Sequence, residues 1–185
     1  MLGESAAQVS WRYGAFELDP NVPAEGVDAH DHMKGKYPPD LVAEMHGRLA
    51  DIAHDEGLPM RDLGAPSARP NTFDAHRLLA AALHDGVALH QALGDELFAA
   101  YWARGENVGL RDVLANAAAA AGLSPERVAT VLDGDDHAAA VRAEEHLAAD
   151  LGIRAVPGFV IADRFLVSGA QPPAALAEAV RKTLV

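Results

Sequence analysis

The stretch VPGFVIADRFLVSGAQ, from Val156 to Gln171, contains the pattern that most clearly indicates the fold of this 185-residue chain. Its first run, Val156 to Ile161, is apolar and rich in β-branched residues. The break Ala162-Asp163-Arg164 separates it from a second run, Phe165 to Ser168. Two such runs around a short polar break predict a β-hairpin. Pro157 stands at the start of the first strand, where a proline removes no interior ladder hydrogen bond.

The rest of the chain predicts one early strand and a series of helices. Val9 to Leu18 alternates at first between apolar and polar residues, which indicates a strand. Capping residues, glycines and apolar stripes predict helices over residues 38–56, 71–85, 89–104, 110–121, 125–134, 136–151 and 174–183. The helix over 38–56 carries an apolar stripe, which is formed by Leu41, Met45, Leu49, Ile52 and Ala53.

The order of these elements predicts the fold class. Strand signals lie at both ends of the chain, and only helices lie between them. This order is typical of an α/β fold that is interrupted by an all-helical insertion. We place the α/β domain in residues 1–23 and 138–185 and the helical insertion in residues 24–137.

The composition excludes several classes of function. The net charge is −12 and the basic residues are scattered, which argues against binding to nucleic acid. No apolar run approaches the ~20 residues of a membrane span. The N-terminal MLGESAAQ lacks the basic and apolar regions of a secretory signal, so we expect a cytoplasmic protein. There is no cysteine, which excludes disulfides, thiolate nucleophiles and Cys-X-X-Cys redox chemistry within these residues.

Several separated motifs resemble the DsbA-family oxidoreductases of the FrnE type. They are AFELDPNVP, NTFDAHRLL, the block Leu97 to Tyr101, and LGIRAVPGFVIADRFLVSGAQPPAAL. The resemblance covers about Val9 to Val185 and implies a thioredoxin-like fold with an inserted all-helical domain. It also implies that the Val156-Pro157 bond is cis and faces the active site.

The reaction centre of that family has no counterpart in this sequence. Family members normally begin with another strand, followed by a Cys-Pro-Trp-Cys-type motif at the start of a helix. Here only MLGESAAQ precedes the strand predicted at Val9 to Leu18. The first core strand and helix are therefore missing, and two explanations stay open. Either the chain is a redox-inactive family member, or the sequence is a fragment of a longer oxidoreductase.

A missing interior strand leaves its neighbours without a partner. We expect Val9–Leu18 to pair directly with Val156–Ile161, or a second copy of the chain to fill the gap as a homodimer. The partner classes that remain are a peptide or a small-molecule ligand, bound in the cleft beside Pro157, and no cofactor is predicted.

The resemblance implies a set of substrate-binding residues and no catalytic one. The set comprises Val156, Pro157, Gly158, Asn71, His76 and Gln171. From the residues alone, Asn71 is a helix N-cap, and Asp74 lies in the first turn where its charge suits the helix dipole. Gln171 belongs to a turn before the last helix. His76 is expected to line the cleft without a catalytic role.

The nine histidines do not specify a metal site. His46 and His54 are eight residues apart, more than two helical turns, and cannot chelate one ion by themselves. Transition-metal sites need three or four convergent ligands. A metal-dependent enzyme is accordingly the least favoured interpretation, and no metal ligand is predicted.

Overall fold

The structure, a computed structural model, describes residues 8–65 and 67–184. Its helices are α1 (Ala29–Lys34), α2 (Pro39–Asp55), α3 (Phe73–Asp85), α4 (Val87–Phe98), α5 (Arg111–Ala121), α6 (Pro125–Asp133), α7 (Ala138–Asp150) and α8 (Pro173–Arg181). A π-helical turn, Ala99–Ala103, continues α4. The strands are β1 (Val27–Asp28), β2 (Ala68–Arg69), β3 (Gly158–Ile161) and β4 (Phe165–Ser168).

The predicted hairpin is confirmed. Strands β3 and β4 are antiparallel, with Gly158 opposite Ser168 and Ile161 opposite Phe165. The turn is possible because Ala162 and Asp163 adopt left-handed backbone conformations, with φ of 52° and 53°. The Val156-Pro157 bond is cis, as the resemblance implied.

The hydrophobic core lies among helices α3 to α6. Leu78 of α3 and Leu93 of α4 are completely buried, and Leu114 of α5 and Val131 of α6 pack in the same cluster. Many of the remaining core residues are alanines, whose small side chains allow the helices to approach closely. Gly122 ends α5 in the left-handed conformation, with φ of 100°, and its N–H bonds back to the helix. The helices predicted from the sequence are therefore present, with ends shifted by a few residues.

A buried arginine joins α3 to the segment between α6 and α7. The Arg77 side chain is 7 % exposed and pairs with Asp74 at 2.8 Å. Its guanidinium also donates to three carbonyl oxygens, those of Val131, Gly134 at 2.6 Å and Asp136 at 3.0 Å. These bonds satisfy main-chain acceptors where α6 ends, which intrahelical bonds cannot reach.

The prediction of an early strand at Val9–Leu18 is wrong. Among the described residues this segment has no regular secondary structure and belongs to no sheet, and β3 pairs with β4 alone. Its expected direct pairing with Val156–Ile161 is also wrong. The physical reason is that side chains of helices, rather than a neighbouring strand, form hydrogen bonds with the main chain of this segment. The boundaries proposed for the helical insertion stay a prediction.

Three short elements, β1, β2 and α1, lie where the sequence predicted loops. Strands β1 and β2 form a two-residue antiparallel pair, Val27 with Arg69 and Asp28 with Ala68. Helix α1 follows β1 directly, and at its start the Asp28 carboxylate accepts a hydrogen bond from the Asp31 N–H at 2.8 Å. Pairs this short arise from tertiary contacts and leave no periodic pattern in the sequence.

Helix α2 forms where predicted, but most of its apolar stripe faces outward. Val42 and Ala53 are buried, whereas Leu41, Leu49 and Ile52 are exposed. The apolar pattern therefore gave the correct helix, but Ala53 is the one member of the predicted stripe that is fully buried. None of the helices formed by the described residues is long and apolar enough to cross a membrane.

Replacing Arg77 by methionine should lower the free energy of unfolding by about 2–4 kcal/mol, because three carbonyl acceptors lose a charged donor. Urea denaturation followed by circular dichroism measures the change. Arg111→Met is the matched control, since Arg111 pairs with Asp133 on the surface, where the two side chains are 55 % and 67 % exposed. Equal losses in the two variants would contradict the role assigned to Arg77.

Candidate functional site

Side chains of two helices hold segment 9–18 against the helical body. The Tyr13 N–H donates to His90 Nε2 of α4 at 2.8 Å. The Ala15 N–H donates to Glu144 Oε2 of α7 at 2.9 Å. Gln91 Nε2 donates to the Trp11 carbonyl at 2.7 Å. Side chains thus replace the bonds that a neighbouring strand would make.

The bonds of His90 fix its tautomer. Its ring is almost fully buried, and Nδ1 lies 2.9 Å from the Leu79 carbonyl. A carbonyl only accepts, so Nδ1 carries the proton, and Nε2 is the acceptor for the Tyr13 N–H. Both ring nitrogens are occupied, and His90 therefore serves to position the segment.

The Tyr13 ring packs where α4 has no side chain. It meets Trp11 edge to face, with centroids 4.9 Å apart, and lies 5.6 Å from the Phe98 ring. A Cβ built on Gly94 would overlap the Tyr13 ring, so only glycine fits at that position. Burial raises the pKa of Tyr13 to about 12, and the neighbouring Asp95 carboxylate adds to the shift.

The fastened segment forms one side of a cavity of about 290 Å³. The walls are mostly apolar and come from segment 9–18, α3, α4, His137 and α7. Its lining residues are Tyr13, Ala15, His76, Leu79, Ala80, Leu83, His84, His90, His137, Ala140, Val141 and Glu144. Glu144 is already engaged, because it accepts from Ala15 and pairs with Arg12 at 2.6 Å.

Two imidazoles of the cavity favour the neutral form. Burial lowers the pKa of His76, and its hydrogen bond with the Phe16 backbone only partly opposes the shift. Burial also lowers the pKa of His137, and the Arg127 guanidinium lowers it further. Neutral imidazoles both donate and accept hydrogen bonds. Among the described residues no group of three or more His, Asp or Glu side chains could hold a metal ion.

A carboxyl pair, Glu17 and Glu145, shares the guanidinium of Arg142. Arg142 Nη1 bonds Glu17 at 2.5 Å and Glu145 at 2.7 Å, and its guanidinium lies 3.9 Å from the Phe73 ring centre. The Glu17 side chain is only 3 % exposed. Oxygen Oε1 of each carboxylate is buried without a donor from the described residues. Burial raises the pKa of Glu17, and the nearby Glu145 adds to the shift while Arg142 opposes it.

A family profile described as a DSBA-like thioredoxin domain matches residues 2–181. The chain belongs to the DSBA-like thioredoxin family. It is also similar to the crystal structure of a probable DsbA oxidoreductase from Streptomyces coelicolor. The TM-score is 0.81 and the identity 31 %, over 91 % of this chain and 73 % of that chain. No curated protein matches the sequence.

Family membership confirms the predicted thioredoxin-like fold class and the DsbA resemblance. It does not by itself give the DsbA-like chain a redox centre, because none of the 185 residues is a cysteine. Thiol–disulfide exchange proceeds by attack of a thiolate on a disulfide. These residues therefore supply no group that can perform that step.

The structure brings only one of the six predicted binding residues to the cavity, and that residue is His76. Val156 and Pro157 lie exposed at the start of the hairpin, where the Pro157 carbonyl accepts the Gly169 N–H at 2.8 Å. Gly158 is half-buried against Ile153. Whether these three residues of the DsbA-like chain bind a ligand stays a prediction.

Asn71 and Gln171 make local structural bonds. Thr72, one residue later than predicted, is the N-cap of α3, while Asn71 Oδ1 accepts the Phe73 N–H at 3.0 Å. Asn71 Nδ2 donates to the Val22 carbonyl at 2.7 Å and so ties a distant loop to α3. Gln171 Nε2 donates to the Ser168 carbonyl at 3.0 Å, within the turn that follows β4.

Sequence reasoning missed the residues that build the site around segment 9–18. They are Tyr13, His90, Gln91, Glu144 and the carboxyl pair Glu17 and Glu145. One signal was present, since His90 lies beside the apolar stripe Leu89, Leu93 and Leu97 of a predicted helix. The glutamates gave no signal, because single charged residues on a helix or near the end of a predicted strand are ordinary at a solvent-exposed surface.

Gly94→Ala should lower the free energy of unfolding by about 1–3 kcal/mol, because the new methyl group and the Tyr13 ring compete for one space. Urea denaturation measures the loss. Gly47→Ala is the matched control, since a Cβ on Gly47 in α2 meets nothing within 4 Å. We expect that control to be about 0.5–1 kcal/mol more stable than the wild type. A stabilising effect at both positions would contradict the described packing of Tyr13.

Glu17→Gln should reveal a carboxyl group that destabilises the fold when it is ionised. The folded-state pKa of Glu17 is raised, so its contribution is fully present below the unfolded pKa and is lost as pH rises through the folded pKa. The wild type, compared with Glu17→Gln, should therefore be relatively more stable at acidic pH than at neutral pH. Denaturation midpoints of both proteins across this range measure the difference.

Glu178→Gln is the control with the opposite sign. The pKa of Glu178 is lowered, mainly by its hydrogen bond from Arg181. Its contribution is present above the unfolded pKa and lost as pH falls through the folded pKa. If Glu17→Gln showed this same trend, the description of Glu17 as a buried carboxyl group with a raised pKa would be wrong.

Proposed function

We propose that this chain is a FrnE-type member of the DsbA-like family that binds a ligand without exchanging disulfides. Family membership supports the assignment to that group of oxidoreductases. The lack of cysteine in the 185 residues supports the second half of the proposal, because no thiolate is available. The function proposed for these residues is therefore the binding of a ligand.

The observation that carries the proposal is the cavity beneath segment 9–18. Its volume of about 290 Å³ lies just below the range for sites of drug-sized ligands, about 300–1,000 Å³, and so suits a small ligand. Leu79, Leu83 and Val141 give it apolar walls, and His76 and His137 add polar groups. An apolar pocket with a few polar groups is the usual form of a ligand site.

The electrostatics of the cavity favour an uncharged ligand. The pKa of His76 and that of His137 are both lowered, so neither imidazole offers a positive charge at neutral pH. The Glu144 carboxylate is occupied by Arg12 and Ala15, and the chain carries a net charge of −12. The proposed ligand is a small, largely apolar molecule that presents a hydroxyl or carbonyl group to an imidazole.

A second candidate function is the binding of an extended peptide along β3. Among the described residues β3 pairs only with β4, and Val156, Val160, Phe165 and Leu166 are all exposed around it. An open strand edge with apolar side chains accepts peptides by strand addition. This version keeps the predicted role of the residues beside Pro157.

Binding of 2-naphthol, a small aromatic alcohol, tests the cavity. Saturation-transfer NMR should detect binding to the wild type and a loss of at least about tenfold in affinity for Ala80→Phe, because the added ring fills the cavity. Ala120→Phe is the matched control, since Ala120 is exposed on α5, and it should bind as the wild type does. Equal binding by Ala80→Phe and the wild type would contradict the proposed site.

An insulin-reduction assay tests the absence of redox activity. In the presence of dithiothreitol, the chain should not increase the rate of insulin precipitation above that of the buffer control. A catalysed rate would contradict the redox-inactive assignment. If 2-naphthol fails to bind while an extended valine-rich peptide shifts the NMR signals of β3, the second candidate replaces the first.

A further inference from the structure

The exposed face of α2 combines an apolar stripe with a line of acidic residues. Tyr37, Leu41, Leu49, Ile52 and Leu58 are each at least 40 % exposed, and Met45 is half-buried. The positions 41, 45, 49 and 52 recur every three or four residues, so they share one side of the helix. We call Leu41, Met45, Leu49 and Ile52 the α2 stripe, and Tyr37 and Leu58 lie just beyond the two ends of the helix.

The carboxylates of α2 are arranged in their own line. Asp40, Glu44, Asp51 and Asp55 stand at i, i+4, i+11 and i+15, so they also share a side, and all four are exposed. At 100° per residue this acidic line flanks one edge of the α2 stripe. Val42 and Ala53, which are buried, flank the other edge. The helix therefore presents three parallel lines of residues: one is buried, the next is apolar and exposed, and the third is acidic and exposed.

We propose that α2 is a docking surface for a basic amphipathic helix of another protein. The apolar face of that helix would cover the α2 stripe, and its lysines or arginines would meet the acidic line. An apolar helix face with i, i+3 and i+4 spacing is a recognised way of holding an amphipathic helix. This docking site is separate from the cavity and does not depend on the proposed function.

The charges favour this occupant over a second copy of the chain. Each copy carries a net charge of −12, so two copies repel, whereas a basic partner is attracted. On α2 itself Arg48 is the one basic side chain apart from histidine, against the four carboxylates of the acidic line. The complementarity should also make association faster at low salt.

The test uses a fluorescein-labelled synthetic peptide of leucine and lysine that is patterned as an amphipathic helix. Fluorescence anisotropy at physiological ionic strength, about 0.15 M, should show saturable binding to the wild type. Leu49→Ser/Ile52→Ser keeps every charge and should weaken binding at least about tenfold, because two apolar contacts are lost. Both positions are exposed, so the fold is retained, and circular dichroism verifies it.

Two further variants separate the contributions. Glu44→Gln/Asp51→Asn keeps the α2 stripe and should weaken binding while reducing its salt dependence. The control Leu147→Ser/Leu151→Ser removes apolar groups that are equally exposed at the C-terminal end of α7, and it should bind as the wild type does. A matching leucine–glutamate peptide should not bind.

Several results would overturn the proposal. One is the absence of saturable binding to the wild type. Another is unchanged affinity in Leu49→Ser/Ile52→Ser, which would reduce the interaction to general charge attraction. Equal weakening in the control Leu147→Ser/Leu151→Ser would also overturn it. A wild-type dimer in sedimentation equilibrium that disappears in Leu49→Ser/Ile52→Ser would assign the α2 stripe to a second copy instead.

Discussion

The arrangement of the site depends on two hydrogen bonds, from the Tyr13 N–H to His90 and from the Ala15 N–H to Glu144. A segment outside helices and sheets that packs against a protein body needs partners for its amides, and here the side chains of helices provide them. The two bonds hold segment 9–18 against α4 and α7. Without them the cavity would lose the side that Tyr13 and Ala15 form.

The same fastening explains the unusual titration behaviour near the site. Holding Phe16 and Glu17 against α3 and α7 removes the Glu17 carboxyl from water and places it beside Arg142 and Glu145. Burial then raises the pKa of Glu17 and lowers that of His76. A DsbA-like chain without cysteine therefore still contains ionisable groups with shifted pKa values. These shifts result from the packing of segment 9–18 and not from thiol chemistry.

The sequence predicted most of the elements and few of the contacts. The hairpin and the helices followed from periodicity, caps and glycines, which are local signals, and the DsbA resemblance correctly gave the fold family. The strand predicted at Val9–Leu18 was wrong because its alternating pattern indicates only a half-buried segment, and the amides of such a segment can be satisfied equally by side chains. Glu144, His90 and Gly94 act across 77 to 129 residues of chain, and no local pattern encodes that pairing. The α2 stripe was predicted as an apolar face but is exposed, because periodicity identifies such a face and not the surface that it contacts.

Hydrogen exchange at the Ala15 amide tests most directly whether side chains, and not a sheet, hold segment 9–18. NMR should show this amide protected in the wild type and exchanging much faster in Glu144→Ala, while the Leu78 amide inside α3 stays protected in both proteins. That pattern is the result predicted from the Glu144 bond. Equal protection of Ala15 in the two proteins would contradict it, because a strand ladder or another partner would then be holding the segment.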